Sequence, residues 1–181
     1  MNRSFLLLGL LMVLGLKANA QFGIRAGFQS AQTNNDGNQI QGSLPGWYVG
    51  AFTEDKLGVT GTLHWHSGLE YLQAGHRQDD LNFRKINYLA VPLGLKISIL
   101  KLAFLQGGIS PSFKVGEKYE VAGANALTQS NKTSVFDLPF HVGAGIKVLI
   151  FDIEARYNHG LINVNGGNRN RYLQLGAALR F

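Results

Sequence analysis

Beyond residue 20 the chain alternates hydrophobic and polar residues with a period of two. Near the start the hydrophobic residues fall on even positions: Phe22, Ile24, Ala26 and Phe28. Near the end they fall on odd positions: Leu173, Leu175, Ala177, Leu179 and Phe181. Successive side chains of a β-strand point to opposite faces, whereas the apolar face of a helix repeats every three or four residues. The pattern predicts an all-β chain whose strands have one apolar and one polar face.

Turn residues divide this part of the chain into eight predicted strands. They run from Gln21 to Ser30, Gly46 to Glu54, Thr60 to Gln73, Arg84 to Ile97, Lys101 to Val115, Val135 to Val148, Asp152 to Asn163 and Arg171 to Phe181. Tight turns alternate with long polar connections, which are Ala31 to Pro45, Ala74 to Phe83, Gly116 to Ser134 and Val164 to Asn170. In an up-and-down meander, this alternation places the long connections at one end and the tight turns at the other.

The predicted strands are long enough to cross a membrane. Several exceed the ~5–6 residues of a typical soluble strand and reach the ~9–11 residues that span a bilayer at a tilt. A bilayer requires closure, because an open sheet edge would leave unpaired N–H and C=O groups in hydrocarbon. We therefore predict an eight-stranded antiparallel up-and-down transmembrane β-barrel, with short periplasmic turns and long extracellular loops.

A soluble periplasmic barrel of lipocalin type is the alternative, with the apolar face turned inward to bind a small apolar ligand. Two features favour the membrane barrel. Aromatic residues gather near strand ends, as in an interfacial girdle, and the candidates for this role are Trp47, Tyr71, Tyr157 and Phe181. The polar face is also rich in glycine, which weakens strands unless a narrow lumen needs small residues.

With the polar face turned inward, the lumen would hold six cationic and five anionic residues. They are Arg25, Lys96, Lys114, Lys147, Arg156 and Arg180, with Glu54, Glu70, Asp137, Asp152 and Glu154. Confined charges are costly unless they are paired, so this near-balance predicts a lumen closed by ion pairs and no general porin activity. The predicted network contains Arg25, Glu70, Lys96, Asp137, Glu154, Arg156 and Arg180. A last loop folded about Gly167 would place Arg180 opposite Glu154.

The first 20 residues have the pattern of a cleaved signal peptide. Arg3 precedes an apolar run from Phe5 to Leu16, and Ala18-Asn19-Ala20 forms an A-x-A cleavage site. The run of 12 is too short for a spanning helix, which needs about 20 residues. We therefore expect export to the outer membrane and one barrel domain over residues 21–181. The chain has no cysteine, so it has no disulfide, thiolate metal site or lipoprotein anchor.

The net charge of +6 is compatible with contacts to anionic lipid, but it does not indicate a nucleic-acid site. The cations are scattered along strands and loops and form no clustered stripe. At the outer rim, five of them could meet lipopolysaccharide phosphates: Arg77, Arg84, Lys85, Arg169 and Arg171. Ordinary solvated loop charge is the alternative explanation for the same residues.

The sequence contains no convincing catalytic or metal site. His64 and His66 share one face of the third strand with Glu70, a set that could ligate zinc. Imidazoles hydrogen-bonded within a polar lumen are a commoner reason for such histidines. No serine completes a triad with His76 and Asp79 or Asp80. We therefore expect neither enzymatic activity nor a cofactor.

Several segments together resemble a known family. They are Phe22-Gly23-Ile24-Arg25-Ala26-Gly27-Phe28, Gly68-Leu69-Glu70-Tyr71, Asn87-Tyr88-Leu89-Ala90-Val91-Pro92-Leu93-Gly94-Leu95-Lys96, Asp152 to Leu161, and Leu173 to Phe181. In these segments the chain resembles the PorT-like outer-membrane β-barrel proteins of Gram-negative bacteria. The family often has an acidic residue where this chain has Ala90, so the internal charges must be arranged differently here. The resemblance also implies that the last strand, ending at Phe181, is recognised by the outer-membrane assembly machinery.

Overall fold

A computed structural model of the protein describes residues 21–35, 38–39, 42–59, 61–100, 102–126, 133–164 and 166–181. The predicted signal peptide lies outside these residues. The described residues contain no helix of the length and apolar character that would cross a membrane. They form thirteen β-strands: β1 (Gln21–Asn35), β2 (Asn38–Gln39), β3 (Leu44–Leu57), β4 (Leu63–Arg77), β5 (Phe83–Ala90), β6 (Leu93–Ile99), β7 (Ala103–Ile109), β8 (Ser112–Val121), β9 (Ala124–Asn125), β10 (Phe136–Asp137), β11 (Pro139–Val148), β12 (Phe151–Gly160) and β13 (Asn168–Arg180).

These strands form a closed antiparallel barrel of eight barrel strands. Five of the eight are continuous (β1, β3, β4, β12 and β13), and three are interrupted once (β5 with β6, β7 with β8, and β10 with β11). The first and last barrel strands close the ring, pairing from Gly23 with Arg180 to Asn35 with Asn168. The two-residue strands β2 and β9 only extend hairpins beyond the ring. The predicted fold class is confirmed.

Prolines mark the three interruptions, which lie side by side in the wall. Pro92 separates β5 from β6, Pro111 separates β7 from β8, and Pro139 begins β11. Proline lacks an N–H and cannot donate to the ladder. Its carbonyl still accepts: the Gly68 amide bonds Pro92 O at 3.0 Å, and the Val91 amide bonds Pro111 O at 2.8 Å. The strands are therefore interrupted at these positions, while the proline carbonyls still bond the neighbouring strand.

The apolar rows face outward and the charged rows face inward. Phe28 is 81% exposed, whereas its neighbour on the opposite face, Gln29, is 3% exposed. Leu175 is likewise 55% exposed between the inward positions 174 and 176. This is the orientation that a membrane barrel requires, because the solvent on the outside is lipid.

Several strands extend beyond their predicted bounds at the end of the long connections. β1 continues to Asn35, with Gln32 and Thr33 still paired to β13. The predicted connection from Ala74 to Phe83 shrinks to residues 78–82, because β4 continues to Arg77. Backbone pairing does not depend on side-chain hydrophobicity, so a hairpin can continue into polar sequence where the alternation of hydrophobic residues ends.

The short turn at residues 78–82 is organised by one carboxylate. Asp79 accepts hydrogen bonds from the amides of Leu81 and Asn82, at 2.9 and 2.8 Å, and from the Asn82 side chain. These donors, the Asn82 side chain foremost, lower the pKa of Asp79. Asn82 in turn accepts from the amide of Ala122, which ties this turn to the next connection.

Candidate functional site

Four charged residues fill the middle of the lumen, and we call them the central quartet: Arg25, Glu70, Glu154 and Arg156. Arg156 Nη2 donates to Glu70 Oε2 at 2.9 Å, and Nη1 lies within ion-pair distance of Oε1, also at 2.9 Å. Arg25 Nη1 lies 3.4 Å from Glu70 Oε1 and 3.3 Å from Glu154 Oε1. Hydrogen bonds between a guanidinium and a carboxylate are charge-assisted and stronger than those between neutral groups.

A second set lies towards the tight turns, and we call it the lower quartet: Glu54, Lys96, Asp152 and Arg180. Lys96 Nζ contacts Glu54 Oε1 at 2.6 Å and Asp152 Oδ2 at 2.8 Å. Arg180 Nη2 lies 3.0 Å from the other oxygen of Asp152. Each carboxylate of this set therefore has a cationic partner.

Polar and aromatic side chains join the two quartets. His66 accepts a bond of 3.0 Å from Arg25 and lies 3.7 Å from Glu54. Gln106 donates to Glu154 at 3.2 Å. Aromatic rings cover the cations: Phe52 lies 4.3 Å from Arg25 Cζ, and Phe104 lies 3.9 Å from Lys96 Nζ.

The two quartets balance in charge and are almost fully buried. They contain four cations and four carboxylates, and apart from Arg180 their side chains are at most 3% exposed. Removing so many charges from water is tolerable only when each has an opposite partner and further hydrogen bonds. The two quartets therefore form a charge-balanced layer of side chains that contact one another across the lumen.

Glycines make room for the large side chains of the lumen. A Cβ at Gly176 would collide with the Tyr48 hydroxyl and the Ala26 carbonyl, and one at Gly145 would collide with the Phe104 ring. The glycine-rich polar rows predicted from the sequence thus have a steric cause, since large rings and guanidinium groups lie directly over the backbone.

Towards the long connections, the central quartet is followed by a layer of uncharged polar side chains. Gln174 donates to Gln29 and accepts from Asn158, at 2.9 and 3.0 Å, while Ser110 bonds His141 at 2.9 Å. Above this layer Asn170 contacts the Tyr88 hydroxyl at 3.3 Å. These side chains are buried as well, so the filled region extends beyond the quartets.

Aromatic residues ring the outside near both ends. Trp47 is 46% exposed, and its ring centroid lies 5.1 Å from that of Tyr71. Tyr157 faces outward beside His159, which accepts from Arg171 at 2.9 Å. At the other end Phe181 stacks on Phe22 with ring centroids 6.2 Å apart. Such amphipathic and aromatic rings are typical of the two membrane–water interfaces.

Comparison with known proteins identifies the family. The family model described as outer membrane protein beta-barrel domain matches residues 15–166. The chain belongs to this outer-membrane β-barrel family. Its structure is similar to that of Ail, the attachment invasion locus protein of Yersinia pestis, determined with the heparin analogue sucrose octasulfate. That similarity has a TM-score of 0.59 at 17% identity and covers 90% of this chain and 99% of Ail.

A second solved structure has the same fold. Neisserial surface protein A (NspA) matches with a TM-score of 0.56 at 15% identity, over 90% of this chain and 99% of NspA. No curated protein matches the chain significantly. Membership of the family confirms the outer-membrane location and overturns the soluble periplasmic alternative. The narrower PorT-like resemblance stays a prediction, because the matching family is broader.

Two residues of the predicted ion-pair network, Arg180 and Asp137, do not contact the charges that the prediction assigned to the network. Arg180 was expected opposite Glu154, but Glu154 pairs with Gly176 and Arg180 contacts Asp152. The last hairpin is centred two residues earlier than predicted, because β12 ends at Gly160. Asp137 has no cation within ion-pair distance among the described residues. It accepts instead from Asn170, at 2.8 Å, and from the Leu138 amide.

One of the five predicted lipopolysaccharide contacts points into the lumen instead of outward. Arg84 is 4% exposed and faces the lumen, with Nη1 3.5 Å from Glu117 Oε1 and its guanidinium over Tyr119. Its face of β5 also carries Ile86, Tyr88 and Ala90, so polarity alone does not reveal which side is inward. Arg77 and Arg169 are engaged with Asp80 and Asn163 at the outer rim, and Lys85 lies on the outward face of β5.

The histidines considered for zinc lie in the lumen. His64 and His66 both point inward from β4, but the described residues contain no group of three or more candidate ligands arranged for a metal ion. His66 is instead held between Arg25 and Glu54. Sequence reasoning missed the buried pair of Arg84 and Glu117, because Glu117 falls in a segment predicted to be a loop.

Proposed function

We propose that the protein is a non-conducting outer-membrane barrel with a structural or interaction role, exerted through its extracellular connections rather than through its lumen. The observation that carries this proposal is the contact between Arg156 and Glu70. β12 and β4 lie diametrically opposite in the ring, with three barrel strands between them on either side. The two contacts of 2.9 Å therefore bridge the full width of the lumen.

A second bridge supports the same proposal nearer the outer end. Asn170 of β13 and Tyr88 of β5 also lie on opposite barrel strands, and their side chains meet at 3.3 Å. An eight-stranded barrel is just wide enough for side chains to fill. An ion entering this lumen would have to displace paired charges, which costs several kcal/mol for each uncompensated group. No catalytic cluster is evident among the described residues, which favours a role without enzymatic chemistry.

Single-channel recording tests the closed lumen. We expect the purified protein in planar lipid bilayers to give no steady conductance above the lipid baseline. The double variant Arg156→Ser with Glu70→Ser removes one bridge at constant net charge; it should admit small ions only as brief openings, because the lower quartet and the contact of Asn170 with Tyr88 remain. The matched control, Lys118→Ser with Glu120→Ser, removes an outward pair and should stay silent. Stable open channels in the unmodified protein would refute the proposal.

The outward cations of the outer rim are proposed contacts for lipopolysaccharide phosphates. Lys85 and Lys118 are direct cross-strand partners on the outer face of β5 and β8. Glu120 forms an ion pair with Lys118, so it balances only one of the two lysines, and a phosphate bridging them would balance the remaining positive charge. Replacing both with glutamine should reduce the lipopolysaccharide that co-purifies with the barrel. The control, Lys56→Gln at the opposite end, should not; equal recovery from all three proteins would exclude these contacts.

A further inference from the structure

An open cavity of about 370 Å³ occupies the mouth of the barrel at the end of the tight turns. Short turns face the periplasm in barrels of this class, so this mouth opens to the periplasm. Its polar lining is strongly cationic and comes from several barrel strands: Lys56, His64, Ser98, Lys147 and Arg180. The lumen is closed a short distance further in, at the lower quartet, so the cavity is a blind pocket.

The cations of this pocket outnumber the carboxylates that face them. Asp152 and Glu54 lie at its inner end and are already paired with Lys96, and Asp152 also with Arg180. Lys147 Nζ contacts the Ser98 hydroxyl at 2.7 Å. Across the part of the chain that the structure describes, neither Lys147 nor Lys56 has a carboxylate within 4.0 Å. The pocket therefore has an excess of two positive charges.

One nitrogen of a buried imidazole in the same pocket also lacks a hydrogen-bond partner among the described residues. His64 is 7% exposed, and its Nδ1 forms no hydrogen bond to any described residue. Arg180 Nε is likewise buried without an acceptor. Unpaired buried polar atoms are costly, so a bound oxygen ligand would relieve both positions. Nδ1 would donate to an anion when the ring is protonated, and would accept from the hydroxyl of a partly protonated anion when it is neutral.

We propose that the periplasmic mouth binds a phosphate-type oxyanion. As monohydrogen phosphate, such a group provides the two negative charges that Lys56 and Lys147 leave unmatched. It also provides acceptors for Arg180 Nε and for the ammonium groups, and in its monohydrogen form a hydroxyl for His64. The phosphate could be a free periplasmic ion or the headgroup of an inner-leaflet phospholipid at the rim. Both sources present phosphate oxygens to the pocket; the free monohydrogen ion supplies two negative charges and a hydroxyl, whereas a diester headgroup supplies one charge and acceptor oxygens only.

Titration with inorganic phosphate tests the pocket. The refolded barrel in maltoside micelles, which contain no phosphate, should show saturable NMR shifts at Ser98 and Lys147. Lys147→Gln should weaken binding about tenfold, because one charge-assisted contact is lost. The matched control Lys85→Gln, at the other end of the barrel, should bind as the unmodified protein does. Should Lys147→Gln fail to fold, the exposed Lys56→Gln replaces it. Absence of saturable shifts, or equal affinity in all variants, would overturn the proposal.

A second experiment distinguishes a bound lipid headgroup from a bound free phosphate ion. The barrel is transferred to nanodiscs of phosphatidylglycerol in phosphate-free buffer. If a lipid headgroup fills the pocket, the shifts at Ser98 and Lys147 appear on transfer, and added phosphate causes no more. If the ligand is a free ion, they appear only when phosphate is added. Both results support an oxyanion pocket, whereas shifts in neither condition would reject it.

Discussion

Replacing Arg156 with leucine should lower the free energy of unfolding of the barrel by about 3–5 kcal/mol, the usual cost of breaking a buried ion pair by removing one partner. Arg156 is 1% exposed and holds both oxygens of Glu70. Its Nε also lies 3.6 Å from Glu154 Oε1. Without the guanidinium, the central quartet would contain two carboxylates facing Arg25 alone.

Reversible urea unfolding in lipid vesicles measures this cost. Arg169→Leu is the matched control, because the Arg169 side chain is exposed at the outer rim. Among the described residues, that side chain hydrogen-bonds only to Asn163. Its replacement should change stability by less than about 0.5 kcal/mol. A loss for Arg156→Leu as small as that of the control would mean that the central quartet does not stabilise the barrel.

A double-variant cycle with Glu70 separates the pair from its surroundings. Glu70→Leu alone should also be costly, since it leaves Arg156 and Arg25 facing one carboxylate. The variant Arg156→Leu with Glu70→Leu restores charge balance, so its loss should be smaller than the sum of the single losses. The coupling between contacting residues of one network typically amounts to about 0.5–3 kcal/mol. Additive losses would show that the two groups act independently.

The alternation of residues predicted the fold and most of the lumen. A period of two identifies strands and separates their faces, and glycine on the polar face indicates which face must be crowded. The position of a charged residue in the alternation was therefore enough to assign it to the lumen. The structure places all five such residues there: Arg25, Glu70, Lys96, Glu154 and Arg156. Closure followed from a physical requirement, because a bilayer excludes open edges.

The alternation could not predict which residues lie opposite each other on neighbouring strands, nor which face a residue takes after a break in the pattern. The hairpin of β12 and β13 is offset from the predicted register, so Arg180 meets Asp152 instead of Glu154. In β8 an extra residue near Val115 shifts the register between Asn87 and Tyr88. Such a bulge reverses the faces of the residues that follow it, which conceals the inward position of Glu117.

Because the apolar rows face the lipid and the polar rows face the lumen, methyl groups on the two faces should differ strongly in their relaxation by a paramagnetic lipid. Ile24, Leu69 and Leu175 are 46%, 43% and 55% exposed on the outer surface, beside inward positions at the level of the central quartet. Leu72 and Ile86 are 2% exposed and lie in the lumen. All five carry the same kind of methyl probe, so their relaxation reports position relative to lipid and requires no substitution.

Paramagnetic relaxation of these methyl groups by a lipid with a nitroxide near the end of its acyl chain is the most direct measurement. The signals of Ile24, Leu69 and Leu175 should lose most of their intensity in nanodiscs containing this lipid. Those of Leu72 and Ile86 should persist, because the barrel wall separates them from the acyl chains. Loss of the Leu72 and Ile86 signals, with those of the three outer residues retained, would show that the apolar rows face the lumen and not the lipid.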